Sequence, residues 1–307
     1  LSPYTTLFRS LVVVALLYVT VLFAVAFWAD KRAERGRYGW LSSPIVYTLS
    51  LSIYCTAWTF YGAVGNAARS GLEFVTIYLG PTIVMVGWWG LLRKLVRICR
   101  TQRITSVADL VSSRYGKSNL LGVIVTALAV VGTTPYIALQ LQSVTLSFAV
   151  FNETPVEDPA GLSFIAFWVA VGLAAFTIIF GTRNLDVNER HYGVVTAIAV
   201  EAVVKFIARV AVGLFVVFAV ADGPSVLLAG IEESPIAGWE LRPDRWATLI
   251  FLSAAAFICL PRMVQVIVVE NSDERHLATA SWAFPLYLFV INLFVVPIAV
   301  MGLAKMP

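Results

Sequence analysis

Charge is what this 307-residue chain has least of. Only 13% of it is charged while 59% is hydrophobic, against about a quarter charged in soluble domains, and that shortage excludes an ordinary soluble fold. Cysteine is nearly missing as well. Cys55, Cys99 and Cys259 are the whole set; they lie in or beside apolar segments with no C-x-x-C spacing, so reduced, buried thiols are expected rather than a disulfide framework. The two histidines, His191 and His276, stand alone at expected inner helix ends. There is no glycine-rich phosphate loop, nucleophile and base pair, or metal-ligand cluster, so neither catalysis nor a metal site is expected within residues 1–307. The net charge of +4 is spread over loops and not gathered into a patch, which sets aside a nucleic-acid partner.

What the chain does have is long apolar runs. Residues 10–29, 38–68, 74–92, 118–152, 159–182 and 276–304 are free of charge, and each reaches the roughly 20 residues that cross a bilayer as a helix. Two more runs, 191–221 and 246–269, carry embedded charges. The expected fold is an all-α integral membrane domain of about eight spans in the lipid bilayer, near 11–29, 44–65, 74–95, 119–150, 162–181, 191–220, 246–269 and 279–304. A β-barrel is excluded, because its strands would alternate polar and apolar residues. Residues 1–10 are set aside as a sequencing or cloning artefact, since Tyr4-Thr-Thr-Leu-Phe-Arg-Ser10 resembles a translated sequencing-adapter oligonucleotide. Residues 11–307 read as one transmembrane domain, a fragment truncated at its C-terminus.

Loops 30–43, 93–118, 183–190 and 270–275 hold 14 lysines and arginines. The opposite side holds Arg69, Arg242, Arg245 and Lys305, with Arg9 in the excluded segment. By the positive-inside rule the N-terminus is outside, in a multi-pass protein of the inner (cytoplasmic) membrane. The acidic outer loop 152–159 agrees. The outer loop 222–245 is the longest on its side, and the inner loop 96–118 is expected to be part helical, with Thr105-Ser106 capping a turn that contains Asp109.

Four spans carry polar groups that lipid alone would not tolerate. In 44–65 the stretch Cys55-Thr-Ala-Trp-Thr-Phe-Tyr-Gly62 combines hydroxyls, small residues and β-branched threonine. Such a run either unwinds to offer backbone carbonyls to an ion or packs tightly through small contacts. In 246–269, Pro261 removes an N–H about midway and Arg262 follows it; either the guanidinium snorkels from a kinked helix or a break lines a cavity. Glu201, Lys205 and Arg209 share one face of 191–220, with Glu201 and Lys205 spaced for an intramembrane ion pair, structural or part of a relay. In 119–150, Pro135 bends the span, while Tyr136 and Gln140 lie one turn apart and offer uncharged hydrogen-bonding groups.

Taken in order, several blocks resemble the sodium:solute symporter family: Tyr54-Cys-Thr-Ala-Trp-Thr-Phe-Tyr-Gly-Ala-Val-Gly65, Tyr78-Leu-Gly-Pro81, Arg103-Ile-Thr-Ser-Val-Ala-Asp-Leu-Val-Ser-Ser-Arg-Tyr-Gly116 and Pro135-Tyr-Ile-Ala-Leu-Gln140. Gly181 to Gly193, Ile258-Cys-Leu-Pro-Arg262 and Val268-Val-Glu-Asn-Ser-Asp-Glu-Arg-His276 resemble the branch fused to sensor histidine kinases. The resemblance implies a LeuT-type inverted repeat, incomplete here, preceded by one extra helix, with the second and seventh spans as its broken helices. It implies a small polar solute, such as an amino acid, bordered by Thr56, Ala57 and Trp58 and faced by Phe257 and Pro261. Tyr136, Gln140 and Arg262 complete that expected substrate set. Sodium is the implied coupling ion, held by main-chain carbonyls near Ser52 and Cys55 as half of a site. Kinase domains in cis and a response regulator are the implied partners. Sodium:proline symporters carry an aspartate where this chain has Tyr54, so a role for that carboxylate does not transfer. The alternatives are a stand-alone symporter and a receptor that binds without transport.

Overall fold

The computed structural model of the chain describes residues 3–151, 159–181 and 192–305, and all regular structure among them is helical. Among the described residues four helical stretches, Val12–Glu34, Asn119–Ser147, Tyr192–Val220 and His276–Lys305, are long and apolar enough to cross a membrane. A fifth is added if Pro243–Cys259 and Pro261–Val269, bent by 57° at their junction, count as one span. With so many such helices, this is a membrane protein. Residues 152–158 and 182–191, the latter with His191 and most of the block from Gly181 to Gly193, lie outside the described residues.

Helix α1 (Pro3–Glu34) runs along α9 (Tyr192–Phe215), which widens into a π-helical turn over Val216–Val220. Gly193 makes their close approach possible: a Cβ there would strike the Ala26 carbonyl and the Asp30 carboxylate. Its N–H instead donates to Asp30 Oδ1 at 2.6 Å.

Helix α2 (Pro44–Ser50) starts with proline at its first position, where no N–H is needed, and with Ser43 Oγ accepting from the Val46 N–H at 3.3 Å. It tightens into a 3-10 turn, Leu51–Tyr54, and stops at Cys55, whose backbone is extended (φ −81°, ψ 101°). The chain resumes as a π-helical turn, Trp58–Gly62, leading into α3 (Ala63–Ser70). The span expected over 74–95 is instead two helices, α4 (Thr76–Val86) and α5 (Leu92–Gln102). Gly87 and Gly90 weaken the intervening turn, and α5 is a strongly amphipathic basic helix better suited to a membrane surface. Next comes α6 (Val107–Arg114), capped as expected by Ser106, whose Oγ accepts from the Asp109 N–H at 3.1 Å.

Two long helices follow, α7 (Asn119–Phe151) and α8 (Pro159–Gly181), with exposed apolar side chains such as Leu120, Val131, Phe164 and Ile178. The segment after α9, expected as an outer loop, contains a helix, α10 (Pro224–Glu233). Beyond it come α11 (Pro243–Cys259), α12 (Pro261–Val264) with its π-helical continuation Gln265–Val269, α13 (His276–Leu293) and α14 (Val295–Lys305). Cys55 and Cys99 are buried, but Cys259 is exposed, which corrects the expectation of three buried thiols. Its place on α11 turns away from the core that Phe257, two residues earlier, enters.

The central packing is an exchange. Helix α2 packs on α13, and α4 packs on α11. The Tyr47 hydroxyl donates to the Ile267 carbonyl at 3.0 Å, and the Ser253 hydroxyl donates to the Thr76 carbonyl at 2.9 Å. Gly80 lets α4 and α11 touch through their backbones, because a Cβ there would overlap Ser253 Oγ and the Ala254 nitrogen. Leu51, Met85, Phe257, Met263, Ile267 and Phe284 fill the shared core. Gly80→Val should therefore force α4 from α11 and destabilise the protein by about 1–3 kcal/mol, as overpacking does, seen as a lowered unfolding temperature of the purified protein in detergent. Gly122→Ala, where a Cβ meets nothing and the residue lies within α7, should leave that temperature unchanged or raise it slightly.

Candidate functional site

Breaking a helix in an apolar surrounding frees backbone groups that must find other partners. At the end of α2 the Cys55 N–H folds back to the Ser52 carbonyl at 2.8 Å, and the Thr59 N–H reaches the Thr56 carbonyl at 2.9 Å. Two of the groups between are met by side chains from distant helices. The Cys55 carbonyl accepts from Lys205 Nζ of α9 at 3.1 Å, and the Ala57 N–H donates to Gln140 Oε1 of α7 at 3.2 Å. One turn before Gln140, the Tyr136 hydroxyl donates to Thr56 Oγ1 at 2.9 Å.

The second interruption sits beside the first, since α12 packs on the Leu51–Tyr54 turn. Leu260 is extended (φ −63°, ψ 130°), as residues before proline tend to be. Its carbonyl restarts the helix by accepting from Met263 and Val264, at 2.9 and 3.0 Å. The Arg262 guanidinium lies 4.5 Å from the centre of the Tyr136 ring, a cation–π contact. Its Nε is buried with no hydrogen-bond partner among the described residues. Tyr136 thus touches both breaks, through its hydroxyl on one side and its ring on the other.

The other expected site residues are placed less openly. Phe257 is fully buried between Tyr54, edge-on at 5.6 Å, and Phe284, stacked at 5.8 Å. Trp58 lies 6.4 Å from the Tyr78 ring and covers Gly62, where any Cβ would overlap the indole. Ser52 is buried. Glu201 Oε1 is 2.6 Å from Lys205 Nζ. Two turns beyond Glu201, Arg209 is buried, with Nε donating to the Ile291 carbonyl at 3.2 Å and its guanidinium over Phe60.

Sodium fits this arrangement poorly. Of the two carbonyls implied as ligands, that of Cys55 already holds the Lys205 ammonium and that of Ser52 holds the Cys55 N–H. Sequence spacing pairs Lys205 with Glu201 on its own helix but carries no sign that the same ammonium crosses to α2. The role of Tyr54 was equally hidden: its hydroxyl donates to the Ile77 carbonyl of α4 at 2.7 Å. No protein-family model matches the chain, and no curated protein or solved structure matches it either.

Toward the basic helix α5, the segment after α12 is clasped. Arg97 grips Glu274 with two hydrogen bonds, at 2.6 and 2.8 Å, and Arg93 adds a third at 3.4 Å. Arg100 holds Asn271 through its carbonyl at 2.7 Å and its Oδ1 at 3.1 Å. With the packing of α5 on Gln265–Val269, this clasp joins α5 to the chain leaving the second break. His276 begins α13 and lies 5.9 Å from the Tyr47 ring.

Hydrogen bonds from Arg97, and then Arg93, hold the Glu274 carboxyl well below the usual carboxylate range, at about 2. A carboxylate depressed in the folded state contributes above its unfolded pKa, about 4.3, and loses that contribution as pH falls toward its folded value. Amide deuterium exchange at 271–275, corrected for intrinsic rates, should stay unchanged from neutral pH to about 4.3 and accelerate below it. Glu274→Gln should accelerate the same amides at neutral pH. Separately, Tyr136→Phe keeps the ring under Arg262 but strips the bond to Thr56, and should cost about 1 kcal/mol in unfolding free energy. Tyr136→Ala, losing both, should cost more.

Proposed function

We propose that this chain is the solute-binding membrane domain of a sensor histidine kinase of the sodium:solute symporter type, built as a LeuT-type inverted repeat with about eight spans. It takes up a small polar solute, such as an amino acid, at the inner membrane. Occupancy passes to kinase domains in cis and through them to a response regulator.

The observation that carries this reading is the meeting of two helix interruptions, at Cys55 and Leu260, with Tyr136 against both. Irregular backbone at membrane depth is tolerated where protein or a cavity meets its polar groups, and transporters place their substrates at such points. The exchange of partners, α2 with α13 and α4 with α11, is what two inverted copies would produce, the first helix of each unit lying on the second helix of the other. Sidedness is consistent as well. Asp30 with Gly193, Ser42 with Ser272 and Arg97 with Glu274 each join segments that charge assigns to the inner side, and Glu73 with Arg245 joins outer ones. Around the breaks Lys205, Arg209 and Arg262 outnumber Glu201, which favours a solute that carries a carboxylate.

A second reading, a receptor that binds without transport, is favoured by Tyr54, whose hydroxyl is committed to the Ile77 carbonyl. Proteoliposomes holding the full-length protein should accumulate at least one radiolabelled amino acid, and ATP should label the protein on histidine. Binding without accumulation would select the receptor; accumulation without phosphorylation would select the stand-alone symporter. Ala57→Trp should abolish binding while the protein still elutes as a folded species, because the indole would crowd the place where Thr56 and Tyr136 meet. Unchanged affinity would remove α2 from the site.

A further inference from the structure

The break in α2 contains a cation of its own. Lys205 reaches it from α9, which the buried small residues Ala199 and Ala202 bring close to α2. The ammonium is shared between the Cys55 carbonyl at 3.1 Å and Glu201 Oε1 at 2.6 Å. The neighbouring groups are already committed. The Tyr287 hydroxyl of α13 donates to the Ala202 carbonyl at 3.1 Å, and the Ser52 carbonyl takes the Cys55 N–H. Further along α9, Arg209 adds a second buried positive charge. A sodium ion on the Cys55 carbonyl would share one oxygen with an ammonium.

We propose that Lys205 is a tethered cation standing where a coupling sodium would bind, so that this chain does not bind sodium at the α2 break. The inference rests on the symporter-type reading of that break. Two unit charges about 4 Å apart, at an effective dielectric near 20, repel enough to weaken binding about a thousandfold. Glu201 cancels part of that, leaving a penalty of about a hundredfold. The ammonium also stabilises the broken helix by meeting a carbonyl that would otherwise be exposed to an apolar surrounding.

The test measures radioactive sodium bound to the purified full-length protein and needs no solute, so its failure is separate from failure of the uptake experiment. Wild-type protein should show no saturable sodium binding. Lys205→Met keeps the aliphatic stem but removes the charge, freeing the Cys55 carbonyl and leaving Glu201 without its partner. It should gain a saturable component, about a hundredfold tighter than any trace in wild type, displaced by unlabelled sodium but not by potassium. Lys205→Gln, which keeps a neutral donor within reach of the carbonyl, should gain a weaker one and serves if the methionine variant does not fold. Saturable sodium binding by the wild type would overturn the proposal. So would a folded Lys205→Met or Lys205→Gln protein that still binds none.

Discussion

The constraint on which the rest of this structure depends is that a backbone interrupted among apolar side chains must still have its polar groups met. Helix α2 stops at Cys55, and three helices answer it: α9 through Lys205, α7 through Gln140 and Tyr136, and α12 through the guanidinium packed on Tyr136. Each bond made in such a surrounding is worth more than it would be in water, and each one missing costs more. The break is therefore the point at which otherwise separate helices become one bundle.

This also explains why polar residues in the spans come in linked sets. Lys205 is tolerable because Glu201 and a carbonyl share its charge. Arg209 spends one nitrogen on the Ile291 carbonyl and lays its face on Phe60. Arg262 has its plane on Tyr136, and among the described residues its buried Nε has no hydrogen-bond partner, as is also true of one Arg209 terminal nitrogen. Of the three cations it is the least completely met, and it stands between the two interruptions.

Much of the helical layout was legible in the sequence, because runs between charges are a direct reading of what a bilayer accepts. The hydroxyl-rich stretch after Tyr54 and the proline at 261 marked places where a helix would be weak, and both are places where it stops. Pairing across helices was not legible. Nothing in the spacing of Lys205 shows that it reaches a carbonyl 150 residues earlier in the chain, and nothing near Gln140 names Ala57. The division of 74–95 into α4 and α5 was masked because glycine and tryptophan score as acceptable membrane residues while Gly87 and Gly90 weaken the helix between them. The exposure of Cys259 depends on how α11 is rotated, which apolar composition on all sides leaves undefined.

The long reach of these contacts has a consequence for how the protein is made. A ribosome delivers α2 to the membrane well before α9, and α4 well before α11; Cys55 and Lys205 are 150 residues apart, Thr76 and Ser253 are 177. At synthesis rates of about 5–20 residues per second, the Cys55 carbonyl waits on the order of ten seconds for its ammonium. Gln140 and Tyr136 follow the break by 83 and 80 residues, so for about the first half of that interval the interrupted segment has no final partner from α7 or α9, and the wet insertion machinery or the membrane interface must hold it. Early helices of this bundle therefore enter as provisional tenants, and the polar centre closes only when later ones arrive.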